Sequence, residues 1–277
     1  MQKTISSITE LKFKENTSGF RTIDIHHGDI QIEPFLVFTE FHMSKPVFGP
    51  HPHAGVSVMT YILPDSEGSF INRDSLGDNS IIEPGGLHVT QAGSGVKHDE
   101  VPQVNGVDCH GFQIWINHAD KDRLVAPKSF HASKNDIGYY QHPNVMIRIL
   151  QGSYQYMNSR FNLLTATTLL HIQLNPHEAT LKLPCKKMSF IYLMSGKIKV
   201  NEETIEGKKL IHFKPETLQV EIFCFEKTEF MFATGEPHNE PIVYEGPFVM
   251  TTQEQMHETK LRLGRGEMGE LEARLIS

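Results

Sequence analysis

The sequence has no apolar run long enough to cross a membrane, and it contains few cysteines. No stretch of about 18 consecutive apolar residues occurs, so we expect no transmembrane helix. The first residues, MQKTISSITELKFKE, have no apolar segment of the kind that a signal peptide requires, so the expected location is cytoplasmic. The three cysteines, Cys109, Cys185 and Cys224, form no C-x-x-C pair, which argues against a zinc ribbon and against a disulfide framework.

The chain also lacks the charge and the motifs of several large functional classes. Its net charge is −7, and its basic residues form only isolated pairs such as CKK and GKK. Nucleic-acid binding requires a basic surface that displaces counterions, so we expect no direct nucleic-acid partner; we also expect no membrane partner. No G-x-S-x-G motif occurs, and no G-x-G-x-x-G or P-loop motif opens a helix, which disfavours a covalent hydrolase and a nucleotide-binding domain.

The apolar segments that are present are short, rich in β-branched and aromatic residues, and bounded by turn residues. Examples are PFLVFTEF, VSVMTYIL, GFQIWIN, SFIYLMSGKIKV and LQVEIFCFE. Apolar and polar residues alternate in Ile198-Lys199-Val200, as they do in a strand with one buried face. The pattern predicts an all-β protein, a sandwich or a barrel, rather than a series of βαβ units.

Strand-rich sequence occurs in two blocks with a polar stretch between them. We predict an N-terminal β-domain over residues 1–125, a connector over 126–144 and a C-terminal β-domain over 145–250. The tail, residues 251–277, has a different pattern. Thr251 or Thr252 is followed three residues later by Glu254 or Gln255, which is a capping box and predicts a helix.

Two histidine-containing motifs lie about 45 residues apart in the first block. In FGPHPHAG, His51 and His53 occupy positions i and i+2, and in GSGVKHDE so do His98 and Glu100. Side chains at i and i+2 of a strand point to the same face. Two such strands meeting inside a barrel would bring three imidazoles and one carboxylate to one point.

Three nitrogens and one oxygen suit Fe, Mn, Ni, Cu or Zn, and the set leaves coordination positions open, as catalytic sites do. The chain has 16 histidines, so a single H-x-H pair would carry little weight. The metal site is predicted because two such pairs occur, each next to turn glycines in a β-context.

The motifs FGPHPHAG, DSLGDNSIIEPGG and AGSGVKHDE, in this order, resemble the pirin family of the cupin superfamily, as does GEPHNEPIVYEGPFVM further along. The resemblance implies two cupin, jelly-roll-like barrels followed by the helical tail. It also implies one divalent metal in the N-terminal barrel, iron first and Ni, Cu, Mn, Co or Zn as alternatives, bound by His51, His53, His98 and Glu100.

This chain departs from the family pattern near the ligands. Ala54 and Ser94 stand where pirins commonly carry Arg, Ser57 stands where they often carry Glu, and His88-Val89 replaces a frequent Gln-Trp. The four ligands are retained, so the metal is expected, while neighbours that would shape a substrate pocket differ. We expect the C-terminal barrel to hold no metal, because its histidines are scattered: His171, His177, His212 and His238.

The resemblance implies two functions of different classes. One is a dioxygenase of quercetin 2,3-dioxygenase type, which opens a flavonol with O₂, with a small aromatic substrate and with Glu100 or a neighbour accepting the hydroxyl proton. The alternative is a non-enzymatic protein that responds to iron or redox state through protein–protein contacts, as a transcriptional co-regulator or a metabolic-enzyme partner. A third hypothesis is a cupin isomerase or an enzyme for an unrelated small molecule.

Several other side chains near the motifs have two interpretations each. His88 is an extra ligand or acid–base group, or else a hydrogen-bonded barrel residue. Trp115, the single tryptophan, packs in a core or walls the pocket, and His42 and Phe48 line the pocket mouth or belong to core and loop. The pair His26-His27 is expected on the surface.

Overall fold

The computed structural model describes residues 4–176 and 180–274, which form β-strands throughout and one α-helix. The strands of the first half are β1 (Ile5–Glu10), β2 (Lys14–Thr17), β3 (Phe20–His26), β4 (Phe35–Met43), β5 (His51–His53), β6 (Val56–Ile62), β7 (Phe70–Asp74), β8 (Asn79–Ile82), β9 (Leu87–Gln91), β10 (Val96–Pro102), β11 (Cys109–Asn117), β12 (Lys128–Ala132) and β13 (Gly138–His142). Those of the second half are β14 (Val145–Gln151), β15 (Ser153–Tyr154), β16 (Met157–Asn158), β17 (Thr167–Leu174), β18 (Leu181–Pro184), β19 (Met188–Ser195), β20 (Lys197–Val200), β21 (Glu203–Glu206), β22 (Lys209–Phe213), β23 (Gln219–Cys224), β24 (Thr228–Gly235), β25 (Val243–Glu245) and β26 (Phe248–Met250), followed by α1 (Gln253–Gly264).

The chain divides into two compact units. The first unit, which carries both histidine motifs, comprises Phe13–Ile30, Phe35–Asp136 and His238–Ser277. The second unit comprises Met1–Lys12, Gln31–Pro34 and Ile137–Pro237. Each unit is therefore built from three segments that are separated along the sequence. The domain boundaries given above from sequence patterns stay predictions.

Two large antiparallel sheets form the body of the first unit, and β25 and β26 pair as a separate two-stranded sheet. One has seven strands in the order β12-β9-β6-β11-β4-β3-β2, and the other has four in the order β5-β10-β7-β8. The sheets face each other, because the ring of His53 on β5 contacts the ring of Trp115 on β11, with 5.0 Å between their centroids. This is the barrel interior into which both histidine motifs project.

The second unit repeats the architecture with a different interior. Its sheets run β1-β22-β19-β24-β17-β14-β13 and β18-β23-β20-β21. Buried aliphatic and aromatic side chains from both sheets form its core, among them Ile147, Leu183, Ile211, Ile222 and Phe232. Burial of each such side chain contributes about 1.5–3 kcal/mol relative to exposure, so this apolar interior accounts for the packing of the unit.

The C-terminal segment packs against the first unit. Thr252 is the N-cap of α1, and its hydroxyl accepts the backbone N–H of Gln255, which confirms the capping box that the sequence predicts. Met256 of the helix lies in one buried cluster with Phe248 and with Ala54, which directly follows the first histidine motif. No helix within residues 4–176 and 180–274 is long and apolar enough to span a bilayer.

Candidate metal centre

The pairing of β5 with β10 brings three histidines together. The strands are antiparallel, His51 lies opposite His98, and His53 lies opposite Val96. Directly opposite side chains share a face of the sheet, so all three imidazoles enter the barrel. One ring nitrogen from each of His51, His53 and His98 lies within 4.8 Å of the other two. This spacing allows a single ion to contact all three.

Glycines on either side of these strands permit the close backbone approach. Gly55 has a φ of +74°, and a Cβ at this position would lie 1.8 Å from the carbonyl oxygen of Val249. Gly93 has a φ of +48°, and its Cβ would lie 2.1 Å from the carbonyl oxygen of Val125. The two glycines are joined by a 2.7 Å hydrogen bond from the Gly55 N–H to the Gly93 carbonyl. They fix the turns that end β5 and precede β10.

The imidazoles are prepared to act as neutral ligands. The Nδ1–H of His51 donates to the Gly49 carbonyl at 2.9 Å, which leaves Nε2 with its lone pair. Burial, and to a smaller extent His51, lowers the pKa of His53 to about 3. Burial also holds the pKa of His98 well below its ordinary value. His98 is 0% exposed, and neither of its ring nitrogens has a hydrogen-bond partner.

The unpaired nitrogens of His98 indicate that the site is built for a ligand. Buried polar atoms are paired in the large majority of cases, and an unpaired one requires an explanation. A metal ion would pair with one ring nitrogen of this histidine and suits the donor chemistry of three neutral imidazoles. The residues present therefore fit a resident transition metal.

Glu100 lies two residues after His98 on β10, but its carboxylate is not among the groups within 4.8 Å of one another. Its Oε2 accepts hydrogen bonds from Thr60 Oγ1 at 2.7 Å and from Gln113 Nε2 at 3.2 Å. Burial raises the pKa of Glu100 to about 7, although both hydrogen bonds oppose the shift. This carboxyl group can therefore exchange a proton near neutral pH.

A cavity of about 640 Å³ is lined by His51 and His53 of the histidine cluster and by Glu100. Its walls are mainly aromatic and apolar, and they include Phe20, Phe41, Phe48, Phe70 and Trp115. Trp115 meets His53 edge-on at 5.0 Å, so the indole forms part of both the cavity and the histidine cluster. A cavity of this size and lining fits a flat, drug-sized aromatic molecule.

Other cavity residues come from segments that carried no sequence signal. His26 and His27 line the cavity; His26 is exposed, as its sequence context predicts, and His27 is half-buried. Tyr244 and Pro247 reach the cavity from the C-terminal segment. Alternation along β3 could have indicated that His26 shares a face with Asp24, which also lines the cavity. The contribution of the C-terminal segment depends on long-range packing and has no local signal.

The residues that depart from the family pattern lie outside the cavity. Ala54 is fully buried beside Phe248 in the cluster that holds the C-terminal segment. Ser57 is also buried, and its hydroxyl shares a 2.8 Å hydrogen bond with His118 Nε2. Neither side chain lines the aromatic cavity. The departures from the family pattern at Ala54 and Ser57 therefore affect the packing behind the first motif rather than the cavity wall.

The remaining candidate histidines have separate environments. His42 does not line the cavity and instead stacks on His110, with 3.9 Å between ring centroids. His171 of the second unit shares a 2.7 Å hydrogen bond with Glu229, and His212 is half-buried on β22. His238 belongs to the first unit, at 3.3 Å from the Asn117 carbonyl, and His177 lies outside the described residues.

Comparison with known proteins agrees with this architecture. A family model described as Pirin matches residues 17–116, and one described as Pirin C-terminal cupin domain matches residues 169–269. A pirin-like protein of Arabidopsis thaliana is 31% identical over 241 residues, which cover 82% of this chain and 77% of that protein.

Two solved structures show the same fold. A quercetin 2,3-dioxygenase from Acinetobacter baumannii has a TM-score of 0.86 at 22% identity, covering 98% of this chain and 100% of that one. The bacterial pirin YhhW from Escherichia coli, in complex with nickel(II), has a TM-score of 0.67 at 16% identity, covering 83% and 99%.

These matches and the two barrels define a bicupin, a protein with two cupin domains in one chain. The chain belongs to the pirin family. The all-β fold, the cupin architecture and the family that the sequence motifs indicate are thus confirmed.

Proposed function

We propose that the first unit is a metal-dependent dioxygenase of quercetin 2,3-dioxygenase type that acts on a flavonol-like molecule. The observation that carries the proposal is the aromatic cavity of about 640 Å³ directly beside three convergent histidines. The name of the structurally similar protein from Acinetobacter baumannii supports the reaction class, and the nickel(II) complex of YhhW supports a bound transition metal.

His51, His53 and His98 would hold the metal, with Glu100 as the fourth predicted ligand. Iron is the first candidate, and Ni, Cu, Mn, Co and Zn suit the same donors. When bound, such a metal supplies Lewis acidity toward a substrate oxygen and a path for electron transfer to O₂. The identity of the metal is part of this proposal.

The protein's own side chains would bind the substrate and handle its proton. Phe41, Phe70 and Trp115 offer ring surfaces to a flat aromatic ligand, and the apolar walls exclude water from it. Glu100 lines the same cavity, and its raised pKa suits acceptance of a hydroxyl proton at Oε. Thr60 and Gln113 hold that carboxyl group in place through their hydrogen bonds.

Metal analysis and turnover of one untagged sample test this proposal. We expect anaerobically iron-loaded protein to consume quercetin and release carbon monoxide on admission of air. His51→Ala and His98→Ala should lose most of the metal held by the histidine cluster, while Glu100→Gln should keep part of it and lose activity. Absence of flavonol loss with Fe, Mn, Ni, Cu and Co alike would exclude this reaction, and full metal content in both histidine variants would exclude the ligand assignment.

A second candidate function is regulatory. Ala54 and Gly55 directly follow His53 and contact the C-terminal segment: Ala54 packs with Phe248, and its carbonyl accepts the Val249 N–H at 3.0 Å. A change at His53 that depends on metal oxidation state would therefore reach the segment that carries α1. Affinity capture with ferrous, ferric and metal-free protein tests it, since identical partner sets for the three forms would contradict it.

A further inference from the structure

A second group of potential metal ligands lies in the first unit. It comprises Asp74 at the end of β7, Asp78 immediately before β8, and His88 on β9. One ligand atom from each lies within 4.8 Å of the other two. The two aspartates belong to the four-stranded sheet region and His88 to the seven-stranded sheet, so the group joins the two sheets of the barrel.

His88 is the member of this group that points to a ligand. It is 1% exposed, and neither of its ring nitrogens has a hydrogen-bond partner. Its Nδ1 lies 4.0 Å from Asp78 Oδ2, which is too long for a hydrogen bond. The structure therefore contradicts the interpretation of His88 as a hydrogen-bonded barrel residue.

The Asp74 carboxylate is held in place by neutral donors. Its Oδ1 accepts the backbone N–H groups of Leu76 and Asp78, both at 2.9 Å, and its Oδ2 accepts a hydrogen bond from Ser129 Oγ. Each carboxylate oxygen has two lone pairs, so an oxygen that accepts one hydrogen bond can still coordinate a cation.

The Asp78 carboxylate is oriented in the same way. Its Oδ1 accepts from Ser80 Oγ at 2.7 Å, and its Oδ2 accepts from Asn72 Nδ2 at 2.8 Å. The other amide atom, Asn72 Oδ1, is itself buried without a hydrogen-bond partner. Within residues 4–176 and 180–274, no lysine or arginine forms an ion pair with Asp74 or Asp78.

This group shares no residue with the histidine cluster of the candidate metal centre. Asp74 is the strand partner of His98 across β7 and β10, so the two groups are neighbours. None of Asp74, Asp78 and His88 lines the aromatic cavity. A ligand held by these three residues would therefore not lie in the substrate site.

We propose that Asp74, Asp78 and His88 form a second metal site that binds a divalent first-row transition ion, such as Zn²⁺ or Mn²⁺, between the two sheets. One imidazole and two carboxylates are a mixed set that suits these ions. The ion would satisfy the unpaired imidazole and would balance two neighbouring carboxylates. The hydroxyl and amide donors that orient the carboxylates would act as outer-sphere partners of the kind that ligating groups have in known sites.

Metal titration of the stripped full-length chain tests the proposal, with ZnCl₂ and MnCl₂ as probes and stoichiometry from calorimetry and elemental analysis. We expect two ions per wild-type chain and one in His88→Gln and in Asp78→Asn. His98→Leu should also bind one, and His88→Gln combined with His98→Leu should bind none. The matched control is His131→Gln, an exposed histidine whose ring centroid lies 5.8 Å from that of His88, and it should keep both ions.

Anomalous diffraction from zinc-soaked wild-type crystals provides a test that does not depend on the folding of variants. A peak within bonding distance of Asp74, Asp78 and His88 supports the site. Wild-type stoichiometry in both His88→Gln and Asp78→Asn, or no anomalous peak at these residues, overturns it. Failure of the flavonol reaction would leave this second peak and its stoichiometry unaffected, so the two proposals are tested separately.

Discussion

His98 should destabilise the metal-free protein and stabilise the metal-loaded one. The imidazole is fully buried, and both of its nitrogens lack a hydrogen-bond partner. A buried polar group left unsatisfied costs about 1–3 kcal/mol, whereas an apolar group of similar shape avoids that cost. Leucine has nearly the volume of histidine, so His98→Leu should leave the free energy of unfolding unchanged or raise it by about 1–2 kcal/mol in metal-free buffer.

Bound metal should make wild-type protein more stable than His98→Leu. An ion at about 100 times its dissociation constant stabilises the native state by about 2.7 kcal/mol at 25 °C. Wild-type protein should gain this stabilisation, and His98→Leu should lose the part that the histidine cluster provides. The variant is therefore expected to be the more stable protein in chelator and the less stable one in saturating Mn²⁺.

Tryptophan fluorescence during urea unfolding reports on the unfolding of the first structural unit. Trp115 is the single tryptophan of the chain and lies against His53 in that unit. The matched control is His118→Leu in the same unit. His118 is equally buried but shares a 2.8 Å hydrogen bond with Ser57, so its loss should cost about 1–3 kcal/mol with or without metal. If His98→Leu is destabilised in chelator as much as His118→Leu, His98 is a structural core residue and the argument from its unpaired nitrogens fails.

Three further expectations concern the turn, the cavity and the second unit. Gly55→Ala should lower the free energy of unfolding in urea by about 3–5 kcal/mol and should lower the metal content. Gly106→Ala, at a φ of +91° with open space around it, should cost only about 1–2 kcal/mol. Equal costs would contradict the close contact at Gly55. Trp115→Ala should weaken calorimetric binding of quercetin by up to about tenfold and Trp115→Phe by less, and unchanged affinity in both would place the ligand elsewhere. Burial raises the pKa of Glu229, but the hydrogen bonds from His171 and Gln173 and the charges of His171 and Lys227 together outweigh it and hold that pKa below its ordinary value. The stabilisation is complete above the ordinary pKa and is lost as the pH falls through the lowered one, so wild type should lose more stability than Glu229→Gln as the pH falls below the ordinary pKa, and parallel profiles would refute this.

The spacing within each motif predicts which side chains share a strand face. Side chains at i and i+2 share a strand face in any register, so His51 and His53 had to point the same way. Their meeting with His98 required one further fact, the pairing of β5 with β10, and the turn glycines beside both strands made that pairing reasonable to expect. The fold class follows from the same regularity of short apolar strands.

Features that depend on contacts between distant segments had no comparable signal. Asp74 and Asp78 are close to each other in sequence, but nothing local indicates that His88, on the facing sheet, would meet them. Likewise, Ala54 is unremarkable in sequence, and its burial follows from the docking of a segment that begins almost 200 residues later, around Phe248. Such contacts are decided by tertiary packing rather than by propensity.

The two barrels show why the chemistry is expected in only one of them. The described interior of the second unit is built from aliphatic and aromatic side chains, whose burial stabilises the fold without further partners. The interior of the first unit instead contains His88 and His98, both buried with unpaired nitrogens, whereas the buried His171 of the second unit shares a hydrogen bond with Glu229. Proteins tolerate the loss of stability from unpaired buried atoms at sites where ligands bind, because the ligand supplies the missing partner of the buried polar atom. The unpaired imidazoles are therefore the strongest physical evidence that the first barrel is the functional one.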